Sequence, residues 1–434
     1  MHYYFERGMI VKNRTNPWIS IIACLIVQMC VGILYLWSAL RSDIVLSFAW
    51  KDSAAGMVSS YMIFAFVFGN LIGGFINDKF GPRVTCLIGV IFFAAGVGLT
   101  GLLTPATVSL LNLTYAVMAG LGSGIAYGSC ISCIQKWLPH KMGLASGLAC
   151  SAFGLSTVVF TPVSSILMDA FRSASGVVDF KPVFLILAGV FAVLGIGASL
   201  FINLPNQDYI DQLPPPPTAP GSGLKDFTLK QMLKTGVFWA FFFSIFFING
   251  TWNLCVPLIR NLGIVRGLTP AMALFCVSFT GITNAAGRLV MAGVSDKLGR
   301  YKTMYLLSIL TMIGALLLTK VGGFGYFLAI ALVAFAYGGP SAVNAALSTA
   351  LFGFTHAGVN YGVAMLALGF SSVFFNFIAN HVINAAVDVA AGTAVGIMPT
   401  FIMGAITAII PIFLIMYIKY KVESYVEPEK KEAP

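Results

Sequence analysis

Gly74-Phe75-Ile76-Asn77-Asp78-Lys79-Phe80-Gly81-Pro82-Arg83 decides the fold, through what flanks it and because it occurs twice. An uninterrupted apolar run leads into it and another leads away, each about 20 residues, the length an α-helix needs to cross a hydrocarbon layer. Glycine permits a tight turn between the two helices, and the acid and bases hold that turn in water. The same device returns 218 residues later as Ser295-Asp296-Lys297-Leu298-Gly299-Arg300-Tyr301-Lys302, again between two apolar runs. One turn of this kind would read as a charged loop. Two copies in equivalent places imply a duplicated membrane unit.

Counting outward from these turns gives twelve apolar runs. They lie at 18–40, 54–76, 84–103, 109–133, 143–168 and 182–204, then at 237–259, 269–294, 303–320, 325–352, 360–386 and 393–418. Composition agrees: 58% of the 434 residues are hydrophobic and 9% charged, against roughly 45–50% and 25% in a soluble protein. So few charges cannot cover a water-exposed surface. The expected fold is an all-α membrane protein, twelve transmembrane helices in two pseudo-symmetric six-helix bundles. The first run is too long for a removable signal peptide and lacks a small-residue cleavage site after it.

The net charge of +10 records topology and does not imply nucleic acid as a partner. With the N-terminus inside, the tails and inner loops hold 17 of the 25 Lys and Arg. The outer face holds seven: Arg41, Lys51, Arg172, Lys181, Arg260, Arg266 and Lys320. That is the positive-inside asymmetry. It places the chain in the cell (inner) membrane as a multi-pass protein with both termini cytoplasmic. All eight cysteines fall in apolar runs, so Cys130-Ile-Ser-Cys133 reads as small packing residues and not as a metal or redox pair.

Between the two sets of runs the composition changes. Residues 205–236 contain Pro214-Pro-Pro-Pro217 and Pro220-Gly-Ser-Gly223, which cannot span a membrane and read as a cytoplasmic linker. The domains are then a tail at 1–17, a first bundle at 18–204, the linker at 205–236, a second bundle at 237–418 and a tail at 419–434. Other pairs relate the halves: Gly143 and Gly362 open corresponding runs, and an Ala-Tyr-Gly triplet recurs around Tyr127 and Tyr337. Two parallel repeats place a substrate site between them, near the midplane. Asp78, Lys79 and Arg83, with Asp296, Lys297 and Arg300, become candidate gating residues, their acids pairing with basic groups on neighbouring helices as a latch.

The loop at Gly74–Arg83 resembles the signature loop of the major facilitator superfamily, and the second copy resembles its weaker echo. Within that superfamily the chain is similar to the oxalate:formate antiporters and the monocarboxylate transporters. The segments that carry the likeness are Gly32-Ile-Leu-Tyr35-Leu-Trp37-Ser38, Gly143-Leu-Ala-Ser-Gly147, Gly287-Arg288 with Ser295–Lys302, and Asn360-Tyr361-Gly362.

One cation stands inside the membrane. The fifteen acidic residues fall in tails, loops or helix ends, whereas Arg288 precedes the turn acid Asp296 by eight residues. That spacing puts it about 12 Å inward, close to the midplane of a layer roughly 30 Å thick. A guanidinium there costs from about 3 to over 10 kcal/mol unless it meets water or a partner. An anion that comes and goes is a natural partner, and the planar fork suits a carboxylate.

The resemblance implies the same role, because the matching arginine in the family is a substrate-carboxylate ligand. It also implies differences. The oxalate exchanger has a lysine in its eleventh helix where alignment puts Leu368. Animal monocarboxylate transporters have an aspartate where this chain has Asn284. One fixed charge favours a monoanion such as lactate, pyruvate, formate or acetate, and Asn284 cannot titrate. Asn284 shares the helix face of Arg288, Tyr127 and Tyr337 are candidate walls, and Tyr35, Phe153 and Ser341 align with cavity-lining positions. His381 is a candidate proton site, with protons as a candidate coupling ion.

No nucleotide loop, cofactor fingerprint or metal cluster is apparent, so enzymology and primary pumping lack their parts. The expected partners are a small organic anion and the lipid bilayer. The expected activity is secondary transport by symport or exchange. An oxalate/formate-type dicarboxylate exchanger and a transporter-like carboxylate sensor are the alternatives.

Overall fold

The computed structural model describes residues 16–32, 36–206, 209, 226–255, 259–379, 387–388, 393–394 and 397–431. Tyr35, His381 and most of the linker lie outside the described residues. The first half begins with α1 (Pro17–Val31) and α2 (Trp37–Ser47), followed by the long α3 (Asp52–Thr100). Short 3-10 and π segments (Val108–Leu110, Asn112–Ala119) lead into α4 (Gly120–Trp137), and α5 (Met142–Ala170) and α6 (Phe180–Leu200) complete the half.

After a short α7 (Leu229–Leu233) the second half opens with α8 (Gly236–Ile248), α9 (Gly250–Cys255) and α10 (Ile259–Val265). The spans α11 (Pro270–Leu298), α12 (Arg300–Leu318), α13 (Phe324–Phe352) and α14 (Ala357–Ile378) follow. A two-residue hairpin, β1 (Val387–Asp388) and β2 (Thr393–Ala394), precedes α15 (Ile397–Lys431).

Among the described residues, ten helices are long and apolar enough to cross a membrane. Local causes account for the difference from twelve. The second and third apolar runs are joined in α3, which breaks at Gly81 with φ 80° and ψ 171°. Gly299 repeats that conformation at φ 90° and ψ 148° between α11 and α12, so both turn glycines hold backbones that side chains disfavour. The first run is not one helix: α1 ends at Gly32 and α2 begins five residues later. The seventh run is counted once, as Gly236–Cys255, although a turn at Asn249 separates α8 from α9. The twelfth starts later than expected, because Thr393 and Ala394 pair with the hairpin.

Interrupted helices inside an apolar layer need partners for freed backbone groups. Ser123 donates its hydroxyl to Val31 O at 2.7 Å, at the end of α1, and Gln28 Nε2 reaches Tyr127 O at 3.2 Å. At the seventh run, Asn249 Nδ2 donates to Ile245 O at 2.6 Å at the end of α8, and Thr251 ties the run to α15 through Gly404 O at 2.7 Å. Helix starts carry the side-chain caps expected of them. Thr269 accepts from Met272 N, Thr235 from Phe238 N and Asp179 from Lys181 N.

The halves meet on the face that carries the Gly81 and Gly299 turns. There the first-half core takes in Ala292, Ala342, Ala345, Tyr361 and Met365 from the second half. Large apolar side chains such as Ile166, Val193 and Phe413 are exposed on the outside, where a lipid-facing surface expects them. At the opposite end, Arg172 joins α5's end to α2 through Asp43 at 2.7 Å, which raises the pKa of the guanidinium.

Candidate functional site

Arg288 lies on α11 where that helix crosses α5 of the other half, and it is 4% exposed. Its Nε donates to Asn284 Oδ1 one turn earlier at 2.9 Å, and an Nη donates to the Cys150 carbonyl on α5 at 2.9 Å. Ser151, next along α5, donates its hydroxyl to Ala285 O at 3.2 Å. The guanidinium therefore reaches across the seam between the halves, bonded to the Asn284 and Cys150 oxygens. A small residue makes this crossing possible: a Cβ at Gly147 would run into the Ala292 side chain and stand 3.1 Å from the Arg288 carbonyl oxygen.

Tyr127 and Phe153 come to the same place. The Tyr127 hydroxyl is 3.1 Å from Cys150 Sγ. Its ring packs edge-on against Phe153 at 5.0 Å and Phe66 at 5.1 Å. Ser341 contributes its carbonyl, which accepts from the Tyr361 hydroxyl at 3.3 Å. Leu368 is partly buried between core residues of both halves. Tyr337 is differently placed: its ring stacks on Trp252 at 5.0 Å, within the second-half core. The neighbouring Gly338 touches the Asn284 carbonyl and the Arg288 backbone.

Cys150 and Tyr361 are additions to the expected set. Cys150 acts through a backbone carbonyl, which no residue pattern marks. Tyr361 enters the sequence analysis only through the resemblance, yet it is buried and its hydroxyl donates to the Ser341 carbonyl. The internal repeat also shows why the site is one-sided. The position 218 residues before Arg288 is Asn70, a buried amide whose Nδ2 has no hydrogen-bond partner among the described residues. At these two equivalent positions the second half carries a charge and the first an amide.

The candidate gating residues divide into two kinds. Asp296 accepts from Gly143 N at 2.9 Å and Leu144 N at 2.7 Å, capping the start of α5 from the opposite half. Asp78 accepts from Val359 N at 3.4 Å near the start of α14, again across the seam. The sequence reading had these acids pair with basic side chains. Their hydrogen bonds go to helix N-termini, whose unpaired N–H groups and dipole attract carboxylates. Gln135 adds a neutral tie, accepting from Thr349 Oγ1 at 3.0 Å and donating to Ser146 at 2.7 Å.

The bases stay within their own regions. Arg83 holds the end of the first half through Ile202 O at 3.1 Å and Asn203 Oδ1 at 2.5 Å. Lys79 is exposed over the Phe80 ring, Lys297 is exposed, and Arg300 is partly buried beside Asp296.

The comparisons with known proteins agree with this architecture. A family model described as Major Facilitator Superfamily matches residues 18–376. The oxalate:formate antiporter of Oxalobacter formigenes is 27% identical over 424 residues, covering 93% of this chain and 91% of that protein. The uncharacterized MFS-type transporter YhjX of Escherichia coli is 26% identical over 368 residues, or 82% and 86% of the two chains. Monocarboxylate transporter 13 of Bos taurus is 24% identical over 269 residues, 61% of this chain and 58% of that protein. Among solved structures, the proton:xylose symporter XylE superposes with a TM-score of 0.69 at 15% identity, covering 93% and 96% of the two chains. That last likeness speaks to fold alone.

Proposed function

The chain belongs to the major facilitator superfamily as a multi-pass membrane transporter and not an enzyme, and we propose that it carries small organic anions by alternating access. The favoured substrates are monocarboxylates such as lactate, pyruvate or formate, with Arg288 binding the carboxylate. The observation that carries this reading is the place of Arg288. It is buried on the seam between the halves, donating to the Asn284 and Cys150 oxygens. A carboxylate can take both bonds with better geometry and opposite charge. The bond to Cys150 joins α11 to α5 of the other half, which links substrate binding to the position of the halves.

In this reading Asp78, Asp296 and the Gln135–Thr349 pair close one face, and that face is cytoplasmic. Both tails and residues 205–236 lie on the same side. Cysteines introduced in the linker and beside Asp179 should then label from opposite sides of the membrane. Labelling of both from one side would sink the topology.

The second reading is oxalate/formate-type exchange, favoured by the relative matched over 93% of this chain. Charge separates the two. A second negative charge in a dry cavity with no further cation costs several kcal/mol per ion, even after relaxation. Labelled lactate, pyruvate, formate and oxalate would be offered to proteoliposomes, with and without a pH gradient and with internal anion for counterflow. Monocarboxylate uptake is expected to exceed oxalate uptake, and Leu368→Lys is expected to raise the relative affinity for oxalate by roughly tenfold or more. Strong oxalate uptake by the unmodified protein would overturn the one-charge argument. Absence of all uptake, with binding retained, would favour a carboxylate sensor. Acceleration by an inward pH gradient would identify proton symport, for which His381 or the substrate carboxylate itself is the candidate carrier.

A further inference from the structure

The chain just before the second half is fastened to the very segment that Asp78 grips. The Asp226 carboxylate accepts from Phe354 N at 2.9 Å, from Thr355 N at 3.4 Å and from the Thr355 hydroxyl. Phe227 N donates to Phe352 O at 3.0 Å, and Phe227 O accepts from Asn360 Nδ2 at 2.9 Å. The Phe227 and Phe352 rings meet edge-on at 6.0 Å. Thr228 and Gln231 then form a reciprocal capping box that starts α7, whose Met232 is fully buried. This strap is a built contact and not a passing loop.

The contacts bracket one N–H group. Gly353, at φ 87°, turns the chain out of α13, and Asp226 fixes the next two residues. Phe227 fixes Asn360, a fully buried side chain, from the other side. Between them lies Val359, whose N–H is the donor to Asp78 of the opposite half. A hydrogen bond at 3.4 Å is sensitive to small displacements of its donor. Val359 thus lies between residues that the strap holds on either side.

We propose that Asp226 and Phe227 are positioning residues of the gate: they hold the start of α14 in the pose that Asp78 requires, so that the segment joining the halves takes part in closing that face. This rests on the reading of Asp78 as a latch and not on the identity of the substrate. A conformational measurement therefore tests it without transport.

Spin labels would be placed at introduced cysteines replacing the exposed Phe80 and Leu298, one on each half, in the full-length protein reconstituted in lipid. The eight native cysteines are all buried and free. Pulsed dipolar spectroscopy would read the distance distribution. Asp78→Asn is expected to enlarge the long-distance population, and Asp226→Ala to enlarge it by roughly fivefold, the lower range of conformational couplings. In the Asp78→Asn background, Asp226→Ala is expected to add nothing further, and in the parent background Asp226→Glu is expected to open the face less than Asp226→Ala does. Should Asp226→Ala fold poorly, Asp226→Asn keeps an acceptor oxygen and carries the same expectation at smaller amplitude. An unchanged distribution in Asp226→Ala, or an equal opening in both backgrounds, overturns the proposal. No response to Asp78→Asn alone would instead defeat the latch reading beneath it.

Discussion

Arg288→Ala is expected to abolish carboxylate binding, and Arg288→Lys to keep the charge but lose the two-pronged geometry. An ionic hydrogen-bonded contact in a desolvated site is worth about 2–5 kcal/mol, which predicts affinity losses of roughly 30-fold or more. The arginine also ties α11 to α5 through the Cys150 carbonyl, so a loss of transport alone would be ambiguous. Equilibrium binding of labelled lactate to detergent-purified protein separates the roles, with thermal unfolding measured in parallel. Loss of binding at an unchanged melting temperature identifies a ligand. Near-normal binding by Arg288→Ala would show that the arginine is structural.

Lysine at this position still meets the long-range charge requirement, because an ammonium attracts the same anion across a low dielectric. It cannot donate two parallel bonds, nor hold Asn284 and Cys150 together from a planar fork. The lysine variant is therefore expected to fall between parent and alanine. Its remaining affinity measures how much of the contact is charge and how much geometry.

The fold was legible because a membrane restricts the choices. Length and apolarity mark the spans, charge asymmetry orients them, and the Gly81 and Gly299 turns mark where consecutive spans reverse. The interruptions near Gly32 and Gly250 were not legible. The apolar run continues across both, and the group that repairs the backbone at the first, Ser123, stands in another helix. Arg288 and Asn284 could be read from helical spacing, since both lie on one face of one helix. Tyr337 could not be placed by analogy with Tyr127: its repeat is out of register with the turn motif, and its ring stacks on Trp252. The cap contacts of Asp78 and Asp296 escaped for a different reason. A backbone N–H at a helix start is the same whatever residue carries it, so composition leaves no trace of the acceptor it meets.

Gly74→Val tests whether the closed face is one of two working states. An ideal Cβ at Gly74 would lie 2.5 Å from Gly358 O, 2.6 Å from Gly358 C and 2.8 Å from Val359 N. All three atoms are backbone of the opposite half, so no side chain can rotate away. The clash exists only while this face is closed, and parting the halves removes it. Overpacking of this kind costs about 1–3 kcal/mol, which shifts a two-state equilibrium by roughly 5- to 150-fold. Gly73→Val is the control, because its Cβ would meet the Ile125 backbone within the same half, in both states alike. Gly73→Val is expected to lower the yield of folded protein. Gly74→Val is expected to fold, to show the longer Phe80–Leu298 label distance, and to lose most uptake because its outward-facing state is depopulated. Parent-like uptake and distances in Gly74→Val would mean that the Gly74–Gly358 contact is incidental packing, and that closure of this face is set elsewhere along the seam.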